Sequence, residues 1–412
     1  MLSARGAGSR PESGQCRNRR RAASPRVGGG DFTVTPDAVE GEVEYRDLLD
    51  RFGADELTDG QIDRFPGSHP MVRRGVFFAG RDVDRVLGAV EADEPLSIVT
   101  GIGPSGPMHL GHAMQFYHAK HFQERTGAHV YVPLSDDEKH FAKDLSLAEI
   151  GDYTRRNLRD LLAVGFDPER THVVIDTADA DVVYPLAVRF AERVTQSTVE
   201  ATYGRPDNVG QSFYPVVQIA HLLLPQLIRG RHATLVPIAA DQDPHVRLAR
   251  DVADKETVAT EKPAALLSKF LPTLDGPGKM SSSDDAPTIR LSDDRETVAE
   301  KIRTHAYSGG RADREAHREH GGDPDVDVAF QYMAFFFERD DETLDRLAHE
   351  YRAGDLLSGE LKAHAIERIA DLLESHQRRR EALGDLDAEL EPYRLTDEQR
   401  WRALPEGLDA LD

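Results

Sequence analysis

The stretch from Leu96 to His112 constrains this 412-residue chain more than any other part of it. The apolar run Leu96-Ser97-Ile98-Val99-Thr100 leads into Gly101-Ile102-Gly103-Pro104-Ser105-Gly106-Pro107, followed at once by Met108-His109-Leu110-Gly111-His112. A buried strand, a glycine-rich turn and a helix start in that order form a phosphate-binding corner, because unpaired backbone N–H groups and the helix dipole both favour an anion. Gly103, Pro104 and Ser105 make up the turn. His109 and His112 lie three residues apart on one helical face, where both can donate hydrogen bonds to charge building on a phosphate. Gly111 omits the side chain that would block a planar base. Gly101, Gly103 and Gly106 fall at GxGxxG spacing, but the histidines that follow at the helix start argue against a dinucleotide-binding oxidoreductase.

Strands and helices alternate around this corner. Residues 129–134, 172–176 and 234–239 read as strands, and 147–164, 194–203 and 211–227 as helices, the pattern of a parallel α/β sheet. Upstream, apolar residues from 42 to 65 recur at helical spacing, with Gly53 placed as a stop, and are followed by a short strand at 75–78 and a helix at 81–90. Beyond about residue 290 the strands cease, and 295–307, 329–337, 341–351, 358–374 and 376–390 are charged, periodic helices. The expected organisation is a disordered basic tail over 1–36, an appended helical segment over 37–90, an α/β body over 91–290 and an all-helical region over 291–412. The tail is set apart by Ser, Gly and Pro and by the run Arg17-Asn18-Arg19-Arg20-Arg21.

Charge enters next, with 51 Lys and Arg against 73 Asp and Glu, a formal net charge of -22. An excess of carboxylate repels nucleic acid, so this balance alone speaks against an RNA partner. The acidic residues, however, are spread in pairs along the whole chain, and lysine is scarce beside arginine. That distribution suits a halophilic protein in molar salt, where repulsion is screened and carboxylates keep the surface hydrated. A single cysteine, Cys16, excludes a disulfide framework and a thiolate-rich zinc site, and no structural metal is expected. No run approaches the roughly 18 apolar residues of a membrane span, so the expected location is the cytoplasm.

The second motif is Lys279-Met280-Ser281-Ser282-Ser283, preceded by Gly276-Pro277-Gly278. The glycines make a mobile loop, Lys279 supplies a point charge for a leaving pyrophosphate, and the serines add hydroxyl and backbone donors. Taken singly, each motif also suits an ordinary glycine-rich turn or serine-rich loop. Their order is what distinguishes them: strand, HxGH helix, further α/β units, then KMSSS before an all-helical region. In that order the two motifs resemble the HIGH and KMSKS signatures of class I aminoacyl-tRNA synthetases. The runs Asp136-Asp137-Glu138-Lys139 and Ala240-Asp241-Gln242-Asp243-Pro244 narrow the resemblance to tryptophanyl-tRNA synthetases of the archaeal and eukaryotic branch. So do Arg73-Arg74-Gly75-Val76-Phe77-Phe78, His305-Ala306-Tyr307-Ser308-Gly309-Gly310 and Gly321-Gly322-Asp323, and the likeness extends from about residue 45 to 393.

The resemblance implies a Rossmann-like catalytic domain over 91–290 and an anticodon-binding helical domain over 291–412. It implies a two-step reaction in which tryptophan is activated by Mg-ATP to tryptophanyl-adenylate and then transferred to tRNA(Trp). By the same resemblance His109, His112, Lys279 and Ser281 are the catalytic residues. Gly103, Pro104, Ser105, Gly111, Asp241, Met280 and Ser283 form the rest of the ATP site, and Glu138, Gln218 and Gln242 bind the amino acid. A homodimer is expected, since one tRNA spans both subunits in this family.

One departure stands out. Eukaryotic members carry a Tyr at the end of the strand before the Thr-Gly and a Gln shortly before the Asp-Asp-Glu run, and both help to hold the indole N–H. This chain has Val99 and Pro133 there, and neither side chain can accept a hydrogen bond. Two other readings therefore stand beside the tryptophan ligase: a tyrosyl-tRNA synthetase, and a non-catalytic paralogue that binds tRNA or nucleotide. Arg378, Arg379 and Arg380 read as a solvated helix face, Arg247 and Arg250 as ion-pair partners, and Trp401 as a packing residue.

Overall fold

A computed structural model of the chain describes residues 53–255, 259–276 and 287–404, with residues 33–34, 39–40 and 49 before them. The expected tail over 1–36 therefore lies almost wholly outside the described residues. The fold is organised on a seven-stranded sheet of β1 (Asp55–Glu56), β2 (Phe77–Arg81), β3 (Leu96–Val99), β4 (His129–Leu134), β5 (Thr171–Ile175), β6 (Ala233–Ala239) and β7 (Ala264–Ser268). Their spatial order is β1-β2-β7-β6-β3-β4-β5. The last five strands of that order run parallel, while β2 pairs antiparallel with β7 and β1 antiparallel with β2.

Every residue of β3, β5 and β7 is buried, as parallel strands covered by helices on both faces must be. One apolar core joins Ile98, Val130 and Val173 of the sheet to Leu110, Phe116 and Phe122 of helix α1 (Leu110–Thr126). The opposite core joins Val99, Tyr131 and Val174 to helices α2 (Ala180–Ala191) and α3 (Val209–Arg229) through Val183, Leu186, Val217 and Leu222. Strands β3 and β6 are neighbours. The chain leaving β3 crosses by α1 to β4 on one side, and the chain leaving β6 crosses by α4 (Asp243–Ala253) to β7 on the other. This is the switch point at which open α/β sheets bind ligands beyond the carboxyl ends of their strands.

The C-terminal helices pack onto the first of these cores. Ile302, Ile366, Ile369 and Leu373 belong to the same apolar cluster as Leu110 and Phe116. The two helices expected at 358–374 and 376–390 are one long helix, α5 (Ser358–Ala382), followed by a short one at Leu386–Leu390. Nothing at Ser375 breaks the turn, and His376 is fully buried on the inward face. The helix expected at 329–337 changes character halfway, with Val328–Tyr332 α-helical and Met333–Phe337 a π-turn. Upstream, the apolar pattern over 42–65 is divided at Gly53, the residue the sequence places as a stop. Gly53 takes a left-handed φ of 62°, β1 follows, and a new helix at Asp59–Arg64 starts at a Thr58/Gln61 capping box.

Two expectations for side chains are also revised. Arg379 and Arg380 do not lie on a solvated face: Arg379 donates to the Ala163 carbonyl and to the Tyr117 hydroxyl, each at 2.7 Å, and Arg380 pairs with Asp160 at 2.6 Å. Trp401 does not pack, being 63% exposed, whereas Arg400 beside it turns inward to Asp179 and Asp181.

Candidate active site

The corner after β3 is held against β4 by backbone alone. Thr100 donates to the Tyr131 carbonyl at 3.1 Å and Ile102 to that of Pro133 at 3.0 Å, and Ser135 donates back to Ile102 at 3.0 Å. This zipper presses Gly101 onto Pro133, where a Cβ would sit 2.4 Å from the Pro133 carbonyl oxygen. Gly103 faces the far side of the corner. A Cβ there would lie 2.3 Å from Lys139 Cε and 2.7 Å from Glu138 Oε2. Ser105 accepts a hydrogen bond from Lys143 Nζ at 3.2 Å, and Pro104 is buried beside it.

His109 is the N-cap of α1. Its Nδ1 accepts the Gly111 N–H at 3.1 Å, and the His109 N–H donates to His112 Nδ1 at 3.4 Å. The rings stack with centroids 3.7 Å apart and planes inclined by 22°. Because each Nδ1 accepts from backbone, the neutral form of each ring carries its proton on Nε2, the atom that can donate to a phosphate oxygen. Gly111 is tight against the first ring, with a Cβ position 3.1 Å from His109 Nδ1.

Lys279, Met280, Ser281 and Ser283 lie outside the described residues. The chain on their C-terminal side is nonetheless placed: Leu110 donates to the Ile289 carbonyl at 3.1 Å and Leu291 to that of Met108 at 3.0 Å. The chain that follows the KMSSS segment thus runs along the histidine motif.

Of the remaining expected residues, Glu138, Asp241 and Gln242 follow the carboxyl ends of central strands and Gln218 lies on α3. Glu138, after β4, is paired with Lys139 at 2.6 Å. Gln218, on α3, donates through Nε2 to the Tyr214 hydroxyl. Asp241 and Gln242, after β6, are joined by a 3.0 Å bond from Gln242 Nε2 to Asp241 Oδ2, and Asp241 is fully buried. Behind them Asp243 accepts both guanidinium arms of Arg81 at 2.8 Å and pairs with Arg247 at 3.1 Å, while Arg250 pairs with Asp82 at 2.8 Å. Arg247 and Arg250 are ion-pair partners, as the sequence suggests.

A buried polar cluster beside Glu138 is not evident from sequence. Asp136 accepts the Thr177 N–H at 3.0 Å, Asp137 accepts the Tyr184 hydroxyl at 2.7 Å, and Asp176, at the end of β5, lies 2.6 Å from His221 Nε2. Asp176 is fully buried, and Asp137 and His221 are 4% and 2% exposed. Burial first and the neighbouring Asp176 second push the Asp137 carboxyl up to about 7, and burial raises Asp176 well above the usual carboxylate range. Burial lowers His221 to about 4, and it raises the phenol of Tyr214, which also feels Glu138, Asp176 and Asp137. The available signal was the spacing of Tyr214, Gln218 and His221, polar residues at one-turn intervals on an otherwise apolar helix.

The chain is similar to known proteins over most of its length. The family model for tRNA synthetases of class I (W and Y) matches residues 91–374. A Halobacterium salinarum protein named tryptophan-tRNA ligase 2 is 63% identical over 371 residues, covering 90% of this chain and 96% of its own length. The tryptophan-tRNA ligase of Sulfolobus acidocaldarius is 41% identical over 365 residues, covering 86% and 94%. Among solved structures, the tryptophanyl-tRNA synthetase from Giardia lamblia is similar with a TM-score of 0.78 and 34% identity, covering 86% of this chain and 96% of that one.

Proposed function

The chain belongs to the class I tRNA synthetases of the tryptophan and tyrosine type, in the archaeal tryptophanyl branch, and on that footing we propose how its residues divide the reaction. It is a tryptophan-tRNA ligase. The observation that carries this is the 63% identity to a ligase of that name across 90% of the chain. It sets aside the tyrosine and non-catalytic readings. A carboxylate oxygen of tryptophan attacks the α-phosphorus of ATP and pyrophosphate leaves. A terminal ribose hydroxyl of tRNA(Trp) then attacks the activated carbonyl and AMP leaves.

Neither step needs a covalent bond to the protein, so the work is positioning and charge stabilisation. His109 and His112 donate Nε2–H bonds to the ATP phosphates. Gly103, Pro104 and Ser105 line the phosphate turn, Gly111 lies against adenine, and Asp241 holds the strand end beside the nucleotide. Lys279, with Met280, Ser281 and Ser283, follows the departing pyrophosphate. Magnesium belongs to the Mg-ATP substrate and neutralises charge on its phosphates. Glu138 receives the α-ammonium group of tryptophan, and Gln218 and Gln242 orient the amino acid.

The helices over 291–412 are assigned to the anticodon end of tRNA(Trp), and the working form to a homodimer. No described helix is long and apolar enough to cross a membrane, and the cytoplasm is the assigned location. The test is ATP-pyrophosphate exchange in molar KCl with magnesium, offering tryptophan, tyrosine and phenylalanine separately. Exchange with tryptophan alone is expected. Exchange with tyrosine would overturn the substrate assignment, and no exchange from folded protein would overturn the ligase.

A further inference from the structure

Tryptophan presents one polar group on its side chain, an indole N–H that donates and cannot accept. A pocket that selects it needs a fixed acceptor. On the sheet side of the amino-acid site, Val99 and Pro133 offer none. Val99 shares its apolar core with Val216, Val217 and Leu222, so α3 is the element that faces it.

On α3, Gln218 and His221 lie three residues apart on one face, and His221 lies within electrostatic reach of both Asp137 and Glu138. His221 Nε2 is 2.6 Å from Asp176 Oδ1. Its Nδ1 is buried and has no hydrogen-bond partner among the described residues. Two oxygens of the adjoining carboxyls, Asp137 Oδ1 and Asp176 Oδ2, also have none. Asp176 raises the proton affinity of Asp137, and a coupled pair of buried acids holds one proton between them. The pair then keeps a single negative charge, and that charge draws the imidazole proton to Nε2. What remains is a bare lone pair on Nδ1, a buried acceptor with no donor among the described residues, which native structures seldom leave unexplained.

We propose that His221 Nδ1 accepts the indole N–H of tryptophan, making His221 the residue that specifies the side chain. Asp176 acts through it as a positioning residue by fixing the tautomer. The proposal deepens the tryptophan-ligase reading and rests on it. Phenylalanine, which has no donor, would leave Nδ1 stranded.

The test uses 3-(benzothiophen-3-yl)alanine, in which sulfur replaces the N–H with little change of shape. Amino-acid-dependent ATP-pyrophosphate exchange is measured for the full chain in molar KCl. The wild type should prefer tryptophan by at least about tenfold in kcat/KM, mostly through KM. His221→Leu should bring the two amino acids within about twofold by weakening tryptophan alone. A purely structural histidine would depress both amino acids equally and leave the ratio intact, which would overturn the proposal. For the case in which His221→Leu fails to fold, the nitrogen-15 resonance of Nδ1 in the wild type should move upfield on adding tryptophan and stay put with the sulfur analogue. An unmoved resonance with tryptophan bound, or a wild-type ratio near one, would also overturn it. Absence of any tryptophan-dependent exchange in the wild type would strike the ligase reading itself.

Discussion

Leu110 donates its backbone N–H to the carbonyl of Ile289 across 3.1 Å, although 179 positions separate them in the chain. The bond belongs to a short antiparallel ladder, with His109 opposite Arg290. The chain that follows the second motif is thereby tied to the corner that carries the first. The segment bearing Lys279 is anchored on its C-terminal side to the residues that cap α1.

Removing the positive charge there should stop activation without disturbing the fold. Lys279→Ala is expected to abolish tryptophan-dependent ATP-pyrophosphate exchange, a loss of at least about a hundredfold in kcat for a charge that acts on the leaving group. The thermal unfolding midpoint should stay within a degree or two of the wild type, and unchanged turnover would sink the assigned role.

Gly103→Ala should damage the same step from the opposite side. The added methyl would meet Lys139 Cε at 2.3 Å and Glu138 Oε2 at 2.7 Å, so the Glu138 carboxylate must move. KM for tryptophan is expected to rise by about tenfold or more, with stability changed by less than about 1 kcal/mol because flexible side chains yield. Steady-state kinetics beside a thermal melt would show whether the two effects separate in this way.

Stability should instead respond to Arg74. Its guanidinium donates to the Glu338 carbonyl at 2.6 Å and to that of Ala334 at 3.1 Å, and pairs with Asp341. It thus closes the end of the π-turn at Met333–Phe337, where carbonyls lack helical partners. Arg74→Ala is expected to cost about 2 to 3 kcal/mol, read as a lowered denaturation midpoint, while KM for tryptophan and ATP stays the same.

Acid should destabilise the protein well above the carboxylate range. Burial lowers the imidazoles of His69, His118, His129 and His172 to about 2, 3, 4 and 3, and it also lowers His121, His221 and His232. Each is neutral in the fold but would protonate near 6.5 when unfolded. Each contributes stability that is present above pH 6.5 and lost as pH falls toward the folded value. Asp136, Asp137 and Asp176 are raised and act in the opposite sense, contributing at low pH and losing that contribution as pH rises through their folded values. The histidines outnumber them, so unfolding should take up protons and the midpoint should fall from pH 7 to pH 5 at constant KCl. His118→Leu should flatten that slope by up to about 1.4 kcal/mol per pH unit. A midpoint independent of pH over this range would contradict the assignment.

Much of the fold was legible because local and tertiary preferences agree. The strand at 129–134 and the helix at 147–164 were read to the residue, the latter because Ser146 with Glu149 forms a capping box and Gly165 takes φ 81° at its end. Strand β7 was not legible, since Ala264-Ala265-Leu266-Leu267-Ser268 is composed largely of helix formers. It is extended because β6 and β2 pair with its two edges. Helix α2 hid behind Pro185 and three valines, which weigh against a helix locally. At the site, residue types were readable and partners were not. That Asp176 meets His221, 45 positions away, depends on the order of strands in the sheet, which no window of sequence contains.

Tyr117 lies two turns along α1 from the stacked histidines. Its hydroxyl accepts from Arg379 Nη2 and is 3.0 Å from His376 Nδ1, both on α5. Arg379 also grips the carbonyl of Ala163 in the helix Leu147–Val164. Three helices are thus pinned at one crossing, with α1 as a stiff shaft whose far end carries His109 and His112. The long C-terminal helix is thereby fixed directly to the helix that carries His109 and His112.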